Sequence, residues 1–241
     1  MNTLEGFAAI IRRTGGMARY DDGVITRLAR LTQLLLAANE KFNLTAITDP
    51  ADIARLHWED SLAALNTEPA LTAAARRAVD IGSGAGIPAL PLAIALPACG
   101  WTALESAAKK CGFIESAVAE LGLGNMTVLC ARAEEAGRSP ARESFDIATA
   151  RAVGPVASLC EIGLPMLRMG GMLLLYKTRP ADGELRGAGR AVSMLGGRIC
   201  PSYYYRLEGD AQERAIHRIE KTAPTPDKYP RRSGIPFKRP L

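Results

Sequence analysis

The stretch Asp80-Ile81-Gly82-Ser83-Gly84-Ala85-Gly86 limits the possible fold more than any other part of this chain. It follows a short apolar run, residues 78–81, and precedes residues 87–96, which read as a helix. Glycines between a strand and a helix permit tight turning and close approach of a ligand to the backbone. The helix that follows supplies unpaired N–H groups and the positive end of a dipole. An ordinary strand-to-helix turn does not need three alternating glycines with an acid two residues before the first.

The pattern continues on both sides. Residues 101–105, 126–130, 145–150 and 172–176 read as further strands, with helices over 109–121 and 155–167. Strands alternating with helices imply βαβ units and a parallel sheet covered on both faces. Residues 198–207 and 214–219 suggest two more strands closing as a hairpin. Upstream, Val24, Ile25, Leu28, Leu31, Leu34 and Leu35 recur at helical spacing. Asp49-Pro50 looks like an N-cap with proline at the first helical position, and Ile53, Leu56, Leu62 and Leu65 follow. The expected organisation is a helical N-terminal extension over 1–75, a ligand-binding α/β domain over 76–222 and a basic, proline-rich segment over 223–241. That last segment carries Pro224, Pro226, Pro230, Pro236 and Pro240, a density that excludes a helix interior or central strand. It should be extended or a surface loop.

Charge is concentrated at the same end. From Lys221 to Leu241 there are three lysines, three arginines and one aspartate, which equals the net +5 of all 241 residues. A basic segment on a neutral body suggests a polyanion partner, with a phosphate backbone the obvious candidate. A solvated basic tail is the plainer reading. No run of about 18 apolar residues occurs, so no membrane span is expected, and no signal peptide is apparent. The five cysteines are odd in number, widely spaced and without a CxxC pair, which argues against a disulfide framework or a zinc site. The expectation is a cytoplasmic protein with reduced cysteines and no metal.

The main rival for the glycine loop is a dinucleotide site. That fingerprint needs G-x-G-x-x-G/A, and counting from Gly82 the third position falls on Ile87. A glycine at 86 fits the methyltransferase pattern instead. S-Adenosylmethionine has no pyrophosphate; it presents a carboxylate, a sulfonium, a ribose and an adenine. The second strand ends in Glu105, whose carboxylate can accept hydrogen bonds from both ribose hydroxyls. After the third strand, Arg132-Ala133-Glu134-Glu135 stands where an adenine ring would sit.

Beyond the loop, the chain resembles the RsmG (GidB) family of 16S ribosomal RNA guanine-N7 methyltransferases. The residues that carry this are Lys41-Phe42-Asn43-Leu44-Thr45-Ala46-Ile47, His57 with Asp60-Ser61-Leu62, Asp80 to Pro88, and Arg132-Ala133-Glu134-Glu135. Arg151-Ala152-Val153 follows the fourth strand, and the chain closes on Arg231-Arg232-Ser233-Gly234-Ile235-Pro236-Phe237-Lys238-Arg239-Pro240-Leu241. The resemblance implies a Rossmann-like class I methyltransferase fold, with a seven-stranded, mostly parallel sheet and helices on both faces. It implies a cofactor site for S-adenosylmethionine at Asp80, Gly82, Gly84, Ile87, Glu105, Ala133, Glu134 and Arg151. It further implies a guanine acceptor in the 530 loop of 16S rRNA, free or in an assembling small ribosomal subunit, with no role for DNA or membrane. The chain departs from the family pattern at Leu56, at Thr178-Arg179 after Lys177, and at Ile235 and Phe237.

Guanine N7 carries a lone pair and no proton, so it can attack a sulfonium methyl without a general base. Positioning two bound reactants can itself supply several kcal/mol, up to roughly 7–11 in favourable cases. Accordingly no Asn/Asp-Pro-Pro-Tyr/Phe motif and no Pro-Cys pair follows the fourth strand; Thr149-Ala150-Arg151-Ala152 stands there. Arg151 is the leading catalytic candidate, orienting the guanine through O6, a phosphate, or the cofactor carboxylate; a structural ion pair is the plainer alternative. His57 on a helix is read as structural, and Asn43, Asp60 and Ser61 as helix caps or braces of the loop. Lys177, Arg231, Arg232, Lys238 and Arg239 are the expected RNA contacts, on a monomer. Two other functions remain open here: a methyltransferase acting on a small molecule or protein, and a catalytically silent RNA-binding module.

Overall fold

The computed structural model describes residues 3–67, 71, 76–178 and 181–241. The expected boundary near residue 75 and the departure at Arg179 lie outside the described residues. The chain opens with α1 (Leu4–Arg13) and α2 (Asp22–Asn39). α2 is capped by Asp21, whose side chain accepts from the Val24 N–H. Asp49 caps α3 (Pro50–Asp52) in the same way, accepting from the Ala51 and Asp52 N–H groups, with Pro50 in the first turn. A π-helical segment, Ile53–Glu59, continues directly into α4 (Asp60–Leu62). The helix expected around Leu56 is thus underwound over Ile53–Glu59, the stretch that carries His57 and leads directly into Asp60.

The sheet follows: β1 (Arg77–Ile81), α5 (Ala89–Ala95), β2 (Gly100–Glu105), α6 (Ala108–Leu121), β3 (Met126–Cys130), α7 (Ala133–Ala136), β4 (Phe145–Arg151), α8 (Val156–Gly163) and β5 (Leu167–Thr178). Then come α9 (Asp182–Gly187), α10 (Gly189–Met194), β6 (Gly197–Tyr205), β7 (Arg214–Lys221) and α11 (Ile235–Lys238). The seven strands lie in the order β3-β2-β1-β4-β5-β7-β6. β1 to β5 pair in parallel, and β7 runs antiparallel between β5 and β6. This is the Rossmann-like class I methyltransferase sheet expected, and its order reverses between β1 and β4.

Alternation along the strands builds two cores. Leu174 and Tyr176 of β5 join Ala78, Trp101 and Ile147 under α2, α5 and α6. Leu173 and Leu175 join Val79, Ile81 and Ala148 under α8 and α10. The N-terminal helices share the first of these cores, through Ile25, Leu28, Leu35 and the buried Trp58. Trp58 donates its indole N–H to Thr32 Oγ1 at 3.0 Å, which ties the π-helical segment to α2. Among the described residues, no helix is long and apolar enough to cross a membrane.

Three elements differ from the sequence reading. β5 begins at Leu167 and runs through Gly170-Gly171, rather than starting after them. The register with β4 shifts between Phe145 and Ile147, so the glycines mark a bulge rather than an end. A Cβ at Gly171 would lie 3.0 Å from the Asp146 carbonyl oxygen, which is why glycine is required there. α9 and α10 were not anticipated, because Gly183, Gly187 and Gly189 dilute the helical pattern. The C-terminal segment contains one helical turn, α11, with Pro236 in its first turn, where its missing N–H costs nothing.

That segment is stapled to the body by arginines. Proline-rich backbone cannot join a sheet ladder, but its carbonyls remain strong acceptors. Arg138 donates to the carbonyls of Pro230 and Lys228, and Arg142 to those of Tyr229 and Thr225. Arg231 forks onto Glu161 of α8, with Nε to Oε1 at 2.8 Å and Nη2 to Oε2 at 2.6 Å, and Glu161 is completely buried. Arg231→Ala leaves that carboxylate with only the backbone N–H of the same residue and should cost about 3 kcal/mol in chemical denaturation. A loss near zero would mean that the clamp contributes nothing.

Candidate active site

The glycine loop is held from beneath by Asp80. This carboxylate is fully buried and accepts from Ser83 Oγ at 2.5 Å and from Thr149 Oγ1 of β4 at 2.7 Å. Burial pushes its pKa up to about 6, although the two hydroxyl donors act in the opposite direction. Gly82, Gly84 and Gly86 have φ of +67°, +59° and +76°, the left-handed region that glycine tolerates. Their surroundings differ: a Cβ on Gly82 would press on Val153 at 2.9 Å, whereas one on Gly84 would find only the Gly82 oxygen at 3.9 Å. Gly84 therefore presents an open face. Ile87 is buried at the end of the turn, its N–H bonded to the Ser83 carbonyl.

Glu105 closes the loop from the side. Its Oε2 accepts from the Gly84 N–H at 2.9 Å, and its Oε1 from the N–H groups of Ser106 and Ala107 at 2.8 and 2.9 Å. A carboxylate has about four acceptor positions, so one remains for a further hydroxyl. A cavity of about 140 Å³ lies at the ends of β1, β2 and β3, lined by Gly82, Leu104, Ala133, Glu134, Gly234 and Phe237 among others. The open face of Gly84 and the residual acceptor capacity of Glu105 suit the polar groups of S-adenosylmethionine, and the cavity beside them has room for part of that molecule. A larger cavity of about 550 Å³ sits between α2 and α6, away from the loop, and its walls are mainly apolar, with Lys41 and Lys109 the charged groups.

Arg151, at the end of β4, is gripped by the N-terminal helices. Its Nη1 donates to Asp60 Oδ2 at 2.6 Å and to the Leu56 carbonyl at 3.0 Å, and its Nη2 lies 2.9 Å from His57 Nδ1. A guanidinium only donates, so His57 Nδ1 accepts and the ring proton is assigned to Nε2. Nε2 then donates to Thr45 Oγ1 at 2.9 Å. Burial and the Arg151 charge lower the His57 pKa from 6.5 to about 4, so the ring is neutral at pH 7. Asp60 is itself buried, and its Oδ1 accepts from Tyr205 OH at 2.7 Å and from Arg214 at 3.3 Å. Asp60, Arg151, Tyr205 and Arg214, with Tyr176 and Lys177, border a cavity of about 310 Å³ at the ends of β4 and β5, and His57 stands behind Arg151. Ser61 does not face it; its hydroxyl donates to the His57 carbonyl.

The expected RNA contacts divide. Arg232, Lys238 and Arg239 are exposed. Arg231 is spent on Glu161, and Lys177 donates to the Gly154 carbonyl at 2.7 Å and to Glu184 at 3.0 Å. Both are parts of the protein's own framework, so neither presents a free cation. Lys221, counted in the basic tail, is buried, with its ammonium on the Leu164 carbonyl and Thr225 Oγ1. Glu134 turns inward and accepts from the Gly234 N–H at 2.7 Å, bringing the C-terminal turn to the first cavity. Sequence reading missed Tyr205, Arg214, Gly234 and Phe237 at these cavities. Gly234 and Phe237 stand in the closing motif, but nothing local places any of the four at a cavity, since each reaches it only through tertiary packing.

Comparison with known proteins gives a consistent picture. A family model described as rRNA small subunit methyltransferase G matches residues 24–201. The chain is 44% identical over 213 residues to a ribosomal RNA small subunit methyltransferase G of Carboxydothermus hydrogenoformans, covering 88% of this chain and 89% of the relative. It is 37% identical over 240 residues to the protein of that name from Leuconostoc citreum, covering 99% of each. Among solved structures, a SAM dependent methyltransferase from Aquifex aeolicus superposes with a TM-score of 0.54 at 14% identity, over 77% of this chain and 98% of that one. TrmN from Thermus thermophilus does so with a TM-score of 0.51 at 22% identity, over 68% and 47%. At these identities the structural likeness speaks for the fold alone.

The depressed His57 pKa has a measurable consequence. Above pH 6.5 the ring is neutral folded or unfolded; below it the unfolded chain takes up a proton that the folded ring resists until about pH 4. Stability is therefore lost as pH falls through this window. Wild type should lose about 3 kcal/mol more than His57→Gln between these limits in urea denaturation. Parallel pH profiles would refute the assignment.

Proposed function

The chain belongs to the rRNA small subunit methyltransferase G family, and on that premise we propose that it transfers a methyl group from S-adenosylmethionine to N7 of a guanine in the 530 loop of 16S rRNA. One observation carries the reading. The cavity over Gly82 and Glu134 and the cavity around Arg151 flank the β1–β4 switch of the sheet, where open α/β sheets bind their ligands. The first takes the cofactor, the second the acceptor base.

When bound, S-adenosylmethionine supplies an electrophilic methyl on a cationic sulfonium. Asp80, through Ser83, keeps the loop in its left-handed turns. Glu105 holds the Gly84 N–H and would accept from a ribose hydroxyl of the cofactor, and Ala133 and Glu134 would hold its adenine. Arg151 orients the acceptor by donating to guanine O6 or to a phosphate. Its charge beside a base that becomes cationic would be unfavourable if isolated, and the Asp60 carboxylate offsets it. The absence of a poised base among the described residues of the second cavity suits N7, which has no proton to lose. His57 is neutral and bonded at both ring nitrogens, and Asp60 is committed to Arg151, Tyr205 and Arg214. Phe237 borders the first cavity, so the C-terminal turn would help to hold a cofactor bound there.

A strain lacking this gene should lose 7-methylguanosine from the 530 loop and regain it with the wild-type gene. Gly84→Val should not restore it, and calorimetry on the purified variant should show cofactor binding abolished. A persistent modification in the deletion strain would refute the substrate, and unchanged affinity in the variant would refute the site. The basic C-terminus makes a separate prediction. Neutralising Arg232, Lys238 and Arg239 together should lower the slope of log binding constant against log salt by about 0.7–0.9 per lost phosphate contact. An unaltered slope would remove these residues from the RNA interface.

A further inference from the structure

Cys111, in the first turns of α6, and Cys130, the last residue of β3, bring their sulfurs to 2.7 Å. That separation approaches the roughly 2.05 Å of a disulfide bond, so only a small displacement separates the two states. The two residues are unlike in access: Cys111 is buried and Cys130 exposed. Burial and the neighbouring Cys130 push the Cys111 thiol up to about 12, so it is protonated and is not the sulfur that reacts first. The pair also straddles Glu105. Cys111 Sγ lies 3.3 Å from the Glu105 carbonyl oxygen, and Cys130 is paired with Glu105 in the β2–β3 register.

We propose that Cys111 and Cys130 form a reversible, peroxide-sensitive dithiol that, once oxidised, weakens binding at the cofactor cavity. Exposed Cys130 reacts first. Its sulfur attacks the peroxide O–O bond, water leaves, and a sulfenic acid forms. Cys111 Sγ then attacks the Cys130 sulfur, and its proton leaves with the sulfenic hydroxyl as a second water. Two thiols lose two hydrogens and two electrons, and one hydrogen peroxide is reduced to two waters. The new bond ties the end of β3 to α6 and removes the Cys111 S–H from the Glu105 carbonyl. The effect on binding rests on the placement of the cofactor at Glu105; the disulfide itself does not.

The test treats the full-length protein with hydrogen peroxide, alkylates the remaining thiols and maps them by mass spectrometry, with S-adenosylmethionine binding measured on the same samples. Expected are a linked pair of peptides containing Cys111 and Cys130, two hydrogens lighter than the reduced pair, and a dissociation constant raised about fivefold. That is the factor corresponding to one hydrogen bond's net contribution. A thiol reductant should reverse both, and Cys130→Ser should keep its affinity through the same treatment while retaining Cys200 as an internal control. Cys130 advancing to sulfinic acid with Cys111 still open to alkylation after denaturation would overturn the proposal, as would a formed disulfide with unchanged affinity. Failure of the reduced protein to bind S-adenosylmethionine would instead overturn the cofactor placement.

Discussion

The carboxylate of Asp60 is the interaction on which the acceptor side of this molecule depends. It receives Arg151 from β4, Arg214 from β7 and the Tyr205 hydroxyl from β6, partners 91, 154 and 145 residues away. A buried carboxylate with two guanidiniums is stable only while they stay in place; removing one partner of such a buried pair costs about 3–5 kcal/mol. The N-terminal helices, the centre of the sheet and its antiparallel edge are thereby fastened at one point. The same contacts hold Arg151 beside His57, whose burial, together with that guanidinium, keeps the ring neutral.

A second buried carboxylate does the equivalent work on the cofactor side. Asp80 links the loop to β4 through Ser83 and Thr149, across the place where the strand order reverses. Both carboxylates thus bridge onto β4, one directly at Arg151 and one two residues earlier. The C-terminal run completes the first cavity through Gly234 on Glu134 and the Phe237 ring against Gly154. Its arginine staples explain how a proline-rich segment without ladder bonds is nonetheless held in one place.

Much of the fold was legible because it is local. The alternation of strands and helices, the Asp49-Pro50 cap and the glycine spacing each depend on residues a few positions apart, within reach of the helix and strand periods. The errors have equally physical origins. Gly170-Gly171 looks like an end of a strand and is a bulge, because a sheet can carry glycine through a tight approach of Asp146. At Arg231 and Lys177, expected as RNA contacts, the structure adds ion pairs to Glu161 and Glu184, because charge in a sequence does not reveal the partner beside it.

The sequence alone determined the cofactor-type loop, the order of the strands along the chain and the family, since each rests on short-range spacing and on motifs in sequence. Tertiary structure alone decided which charges are available and which are consumed. It turned Glu134 toward the C-terminal turn and left Arg232, Lys238 and Arg239 exposed. It also brought Arg214 and Phe237 to the two cavities and set Cys111 beside Cys130. These pairings join residues far apart in the chain, and a buried charge or thiol acquires its properties from the neighbours that packing imposes on it.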